Sequence, residues 1–174
     1  MLAPSSPRKF MIFSVLAAAA LIALAVLFYF SLSNKPQAPE VTFVNLKGEK
    51  ITTQSLRGKV VMVNFWATSC STCVAEMPRM VETYNKYNKQ GLEFVAVAMQ
   101  GDPPNYVLNY TETRKLPFDV ALDTQGLLAK AFGEVRMTPT TYVIDKHGNI
   151  LKRYLGEPSF PELHKLLDQA LAAA

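Results

Sequence analysis

Apolar and polar positions sort along this chain on three scales. From residue 10 to residue 32, FMIFSVLAAAALIALAVLFYFSL carries no charge and almost no polar group. At ~1.5 Å rise per residue, about twenty helical residues cover the ~30 Å hydrocarbon core of a bilayer. The run is therefore expected to be an uncleaved signal-anchor helix lying in the lipid bilayer. A cleavable signal peptide has an apolar core of about 7–15 residues, shorter than this one, although Ser31-Leu32-Ser33 would offer a cut. A buried core helix would need a polar stripe or a partner face, and the sequence displays neither.

Beyond residue 34 the apolar runs become short. Residues 41–44 and 50–52, parted by Lys47-Gly48, predict a small hairpin. Residues 60–65 (VVMVNF) and 92–98 (LEFVAVA) are nearly continuous in apolar character, which fits strands covered on both faces of a largely parallel sheet. The third scale is helical. Val74, Met77, Val81 and Tyr84 predict a helix over 70–89, bent at Pro78. A second is expected over 103–115, with Asp102 as N-cap, and a short third over 125–132. Residues 140–144 and 150–154 flank Lys146-His147-Gly148-Asn149 as a second hairpin. A last helix starts at a capping box of Ser159 and Glu162 and lines Phe160, Leu163, Leu166, Leu167, Ala170 and Leu171 on one face. The expected fold is α/β, a mixed central sheet flanked by helices with an N-terminal β-hairpin.

Charge adds an orientation. Arg8 and Lys9 precede the apolar span and Lys35 alone follows it closely, so the positive-inside bias keeps residues 1–9 in the cytoplasm. Residues 33–40, with Pro36 and Pro39, read as a linker, and 41–174 as one domain outside the cytoplasm, on the side the resemblance described below makes the periplasmic face of a bacterial inner membrane. With Arg8 and Lys9 set aside, sixteen basic residues face fourteen acidic ones. No basic run interleaved with aromatics is present, so nucleic-acid binding has no support.

The chemistry concentrates in NFWATSCSTC, which holds the two cysteines of the chain, Cys70 and Cys73. They fall where a strand is expected to end and a helix to begin, three apart and within disulfide reach. The first sits at the positive end of the helix dipole, which stabilises a thiolate. The second, one turn deeper, should be more buried and slower to react. As an inert staple the pair would do little, because a four-residue loop removes little chain entropy. Structural zinc needs four ligands, and the two histidines, His147 and His164, are expected to be solvated. No metal and no cofactor is expected. A copper-binding assembly factor is the non-enzymatic alternative.

Val63-Asn64-Phe65-Trp66-Ala67-Thr68, Cys70-x-x-Cys73, Glu76 and Pro78 resemble the membrane-anchored TlpA/ResA-like branch of the thioredoxin superfamily. The runs LRGKVV at 56–61 and TPTTYVID at 138–145 match the same family in order and spacing, so the likeness spans residue 36 to the C-terminus. It implies a thioredoxin-like fold and thiol–disulfide oxidoreductase activity, with Cys70 and Cys73 as a redox-active disulfide. It also implies that Thr138-Pro139 form the cis-proline loop offering backbone groups to an extended substrate, with Trp66 beside the site. Pro139 as a plain strand-start proline and Trp66 as plain core packing are the alternatives.

The same resemblance implies disulfide-bearing protein substrates, such as the haem-binding cysteines of apocytochromes c, and a membrane-embedded thiol electron donor. Ordinary thioredoxins carry an aspartate six positions before the first cysteine, where this chain has Asn64, which cannot accept a proton. Glu76, three residues past Cys73 and on the same helical face, is then the expected general base for Cys73; a solvated first-turn carboxylate is the alternative. Two features depart from the family: Ser69 replaces the common aromatic before the first cysteine, and Ser71-Thr72 provides no cation between the thiols. The couple is accordingly expected to lean toward a reductant. A peroxiredoxin-like antioxidant places a threonine three residues before its nucleophile; Ala67 stands there instead.

Overall fold

The computed structural model describes residue 14, residues 16–26 and residues 35–173. The chain divides into two compact units, Met1–Lys35 and Pro36–Ala174. In the first, residues 16–26 are helical, and Leu16, Leu21, Ile22, Leu24 and Val26 are all exposed. The rest of the expected 10–32 span lies outside the described residues. Among those described, no helix is long and apolar enough to cross a membrane.

The second unit holds a five-stranded mixed sheet in the order β5-β4-β3-β6-β7 beside a two-stranded sheet, β1-β2. The strands are β1 (Thr42–Val44), β2 (Lys50–Thr52), β3 (Val60–Trp66), β4 (Leu92–Ala98), β5 (Asp119–Leu122), β6 (Thr140–Ile144) and β7 (Ile150–Leu155). The helices are α1 (Ser71–Tyr87), α2 (Pro104–Arg114), α3 (Leu127–Ala131) and α4 (Phe160–Ala172). Strands β3, β4 and β5 run parallel, while β6 is antiparallel to β3 and β7 to β6.

Every residue of β3 is buried, as its unbroken apolar run predicts, but its two faces meet different cores. Val60, Met62 and Trp66 pack with Cys73, Met77 and Met80 of α1, Val107 of α2 and Leu163 and Leu167 of α4. Val61, Val63 and Phe65 pack with Phe43, Phe132 and Tyr142 on the side of α3 and the N-terminal hairpin. Side chains along a strand alternate between faces. Asn64 therefore points with Met62 and Trp66, toward α1.

Five expectations need correction. The segment taken as a linker is part of the domain from Pro36 onward: Ala38 is buried and its N–H donates to the Gly148 carbonyl, and the Ile150 N–H donates to that of Pro36 at 2.7 Å. Strand β5 was not anticipated; four residues after Pro117 carry too little pattern to declare a strand. Asp102 does not cap α2, whose N-cap is Pro103, because its carboxylate is engaged by Thr68. Ser159 occupies the N-cap of α4 but makes no side-chain cap bond, and Glu162 pairs with Lys152 at 3.5 Å instead. His164 is half-buried rather than solvated, set between the rings of Tyr87 and Phe160. Pro78 sits within α1 on its exposed side, and the helix continues through it.

Candidate active site

Cys70 is the N-cap of α1. Its backbone is extended, its carbonyl accepts the Val74 N–H at 3.0 Å, and its Sγ accepts the Cys73 N–H at 3.2 Å. The first amides of a helix have no intrahelical partner, so a sulfur at this position receives both a donor and the positive end of the dipole. The two cysteines form a disulfide with Cα atoms 5.2 Å apart. Their surroundings are unequal: Cys70 is half-buried, whereas Cys73 has no exposed area and packs in the core with Trp66 and Met77.

The loop delivering Cys70 is tied at both ends. The Met99 N–H donates to the Trp66 carbonyl at 2.9 Å, fixing the end of β3 against the strand beside it. One turn later, the Asp102 carboxylate accepts the Thr68 N–H at 2.7 Å and also the Thr68 hydroxyl. The connection after β4 is thus fastened to the approach to the dithiol.

Below the disulfide, Glu76 is wholly buried on the same face of α1 as Cys73. Its Oε1 accepts the Asn64 side-chain amide at 3.1 Å, and the second hydrogen of that amide goes to Thr141 Oγ1 at 2.9 Å. Among the described residues, neither Glu76 Oε2 nor Asn64 Oδ1 has a hydrogen-bond partner. Burial disfavours the charged carboxylate and pushes the pKa of Glu76 up to about 8, against the smaller opposing effect of the Asn64 bond. A carboxyl held neutral by burial lies on the same helix face as the inner sulfur, one turn further along α1. The alternative of a solvated first-turn carboxylate does not fit a side chain with no exposed area.

The Thr138–Pro139 peptide is cis. Antiparallel pairing sets Thr140 opposite Phe65, so Thr138 and Pro139 lie at the end of the sheet from which residues 67–70 emerge. Pro139 is buried and its carbonyl accepts the Gly156 N–H at 2.8 Å; Thr138 is half-buried and Met137 is exposed. Trp66 ends β3 with no exposed area, its ring 5.2 Å from that of Tyr110 and its Nε1 without an acceptor. Its shape serves the core, and its side chain presents nothing to a substrate in this state.

Two residues were not anticipated at the site. Thr141 shares the Asn64 amide, and Asp102 holds the loop before Cys70. A signal for Thr141 was present in the doubled threonine of TTYVI, since a buried hydroxyl in an apolar strand requires a partner. Asp102 left no such signal, because its partner lies thirty-four residues away in a loop. Among the described residues no group of three or more His, Cys, Asp or Glu is arranged to hold a metal ion.

This geometry has clear relatives. Residues 33–167 match the Redoxin family. The chain is 35% identical over 144 residues to the thiol-disulfide oxidoreductase ResA of Bacillus cereus, covering 80% of this chain and 82% of that protein. It is 37% identical over 131 residues to ResA of Geobacillus thermodenitrificans, covering 75% and 74%. Among solved structures, a thioredoxin-family thiol:disulfide interchange protein from Chlorobium tepidum superposes with a TM-score of 0.73 at 30% identity, over 80% of this chain and 99% of that one. With a disulfide at the start of α1 on a thioredoxin-like sheet, the chain belongs to the Redoxin family as a ResA-like thiol–disulfide oxidoreductase.

Proposed function

We propose that this enzyme is a membrane-anchored reductase of disulfides in exported proteins. Residues 10–32 form the anchor, residues 1–9 stay in the cytoplasm, and the domain from Pro36 works on the periplasmic side of a bacterial inner membrane. The uninterrupted apolar sequence and the uncovered apolar side chains of residues 16–26 support the anchor. Substrates of the apocytochrome c type, with paired haem-binding cysteines, suit a dithiol with no cation between its sulfurs. A membrane-embedded thiol carrier is the matching electron donor.

The unequal burial of the two sulfurs carries this reading. In the reduced enzyme, the Cys70 thiolate attacks one sulfur of a substrate disulfide, and the other leaves as a thiolate that takes up a proton. In the fraction of enzyme whose Glu76 is ionised, Cys73 passes its proton to that carboxylate and attacks Cys70 Sγ. The mixed disulfide breaks, the second substrate sulfur departs as a thiolate that takes up the proton released by Glu76, and the enzyme holds the Cys70–Cys73 bond; two electrons have passed to the substrate. Thr138 and Pro139 lie where an extended substrate would run past Cys70, and Trp66 supports the site from within the core.

Cys73→Ser is expected to abolish turnover and to accumulate a mixed disulfide through Cys70, read as a mass increase equal to one substrate chain. A reduction potential near the ~−270 mV of thioredoxin is expected for the chain, and one near the ~−120 mV of strong oxidants would reverse the assigned direction. Alkaline extraction of membranes, with protease added from the periplasmic face, tests anchoring and sidedness together. Release into the extract, or full protection of the domain, would refute them.

A further inference from the structure

Beside the dithiol lies a groove of about 590 Å³ that disulfide exchange as described leaves unused. It begins at Thr68 and Ser69, directly before Cys70, and follows α2 as far as Arg114. Its wall is one stripe of that helix: Tyr106, Asn109, Tyr110, Thr113 and Arg114 recur at steps of three and four. Four of the five are exposed, and Tyr110 is half-buried against Trp66. The side of α2 that meets the core contributes Val107 as its one wholly buried residue. A smaller groove of about 370 Å³, between α1 and α2, shares Tyr110 and Arg114 with the first. Arg114 therefore stands where the two meet.

The larger groove is lined by one carboxylate, near the dithiol, and one guanidinium, at its far end. Its carboxylate, Asp102, is already bonded to the Thr68 N–H and hydroxyl. Arg114 forms no ion pair among the described residues, and its guanidinium carbon lies 5.8 Å from the centre of the Tyr110 ring. Glu82 borders the smaller groove and not the larger. The groove is a trough with two tyrosines along its α2 wall, Asp102 held by Thr68 at the dithiol end, and at the far end a guanidinium with no ion pair among the described residues.

We infer that this groove is a substrate subsite: it receives the stretch of a disulfide-bearing polypeptide beside the attacked cysteine, with apolar or aromatic side chains over Tyr106 and Tyr110 and a carboxylate at Arg114. This rests on the exchange chemistry assigned to Cys70 and names the kind of chain that chemistry serves. The length of α2, about 15 Å at ~1.5 Å per residue, matches about four to five residues of extended chain at ~3.3 Å each. The acidic residue of the substrate accordingly belongs at least about four to five positions from its cysteine.

Synthetic peptides with one cysteine as a mixed disulfide to 4-thiopyridine provide the probe. Glutamate or lysine is placed two to six positions to either side, and thiopyridone release by the reduced full-length enzyme is followed at low salt. The wild type is expected to react about fivefold faster with glutamate than with lysine in the matching register, the range of one exposed charge pair. Arg114→Gln brings the ratio to one and Arg114→Glu inverts it. Each ratio is taken within one enzyme preparation, so altered dithiol reactivity cancels. Equal rates in the wild type, a preference independent of register, or a preference that survives Arg114→Glu would each overturn the subsite. Failure of the wild type to react with neutral dithiodipyridine would instead overturn the exchange reading, and the subsite with it.

Discussion

Helix α1 buries polar groups at both ends, and the two ends are built on opposite terms. Toward its C-terminus, Thr83 donates to the Arg79 carbonyl at 2.8 Å and meets His164 Nε2 at 2.9 Å, which makes the imidazole the donor in that contact. Tyr87 donates to Asp168 Oδ1 at 2.8 Å. Each group that reaches across to α4 has a partner. Beneath the dithiol, Asn64 and Glu76 each keep an oxygen with no partner, although both residues are wholly buried. An unmet buried polar atom costs ~1–3 kcal/mol, whereas a satisfied pair is modestly stabilising. One end of α1 ties two helices together. The other holds a carboxyl in a site that favours its neutral form.

The largest effect expected from breaking this contrast is on exchange. Glu76→Gln should slow resolution of the mixed disulfide by about 10²-fold near pH 8, within the range of general-base contributions, and flatten its pH profile. Unchanged stopped-flow rates across pH 6–9 would remove Glu76 from the proton path. The same substitution should raise stability. Below the ordinary carboxyl pKa, 4.5, Glu76 is protonated whether the chain is folded or not. Between there and about 8 the unfolded chain loses a proton that the folded one keeps, so wild-type stability falls as pH rises through this window. Urea melts at pH 5 and pH 8 should show Glu76→Gln gaining up to a few kcal/mol on wild type at the higher pH.

The contacts between α1 and α4 behave differently. Burial, assisted by nearby Lys86, holds the His164 pKa below its usual 6.5. The unfolded chain then binds a proton there first, and stability is lost as pH falls below about 6.5, opposite in slope to Glu76. Tyr87→Phe should cost about 1 kcal/mol in the same melts and leave exchange rates unaltered. Ser159→Ala should cost less than about 0.5 kcal/mol, since its hydroxyl makes no cap bond, where a working cap contributes about 1.

The parts of this site that sequence makes legible are local ones. The dithiol, its place between β3 and α1, and the side on which Glu76 lies all follow from spacing. Parity along β3 was also available to place Asn64 toward α1, although the apolar run around it hides the alternation. What escaped needed partners distant in the chain. Thr141 reaches Asn64 through antiparallel pairing across seventy-seven residues. Asp102 and Ser159 both satisfy cap patterns by composition, and tertiary contacts redirect the first and leave the second unused. Strand β5 exists because β4 offers it an edge, and its own four residues carry no such instruction.

The position of Cys70 as the first cap of α1 binds two measurements into one. Its sulfur accepts the Cys73 amide even in the disulfide, and on reduction the sulfur becomes a thiolate, a stronger acceptor for the same N–H. Reduction and unfolding form a closed thermodynamic cycle. Any stabilisation the thiolate gives the first turn must reappear as a higher potential in the folded chain than in an unfolded Cys-x-x-Cys. At ~30 mV for each ~1.4 kcal/mol, a redox titration of this enzyme is also a calorimetry of its helix start. Substitutions in that first turn will therefore shift the direction in which electrons run, whether or not they touch a substrate.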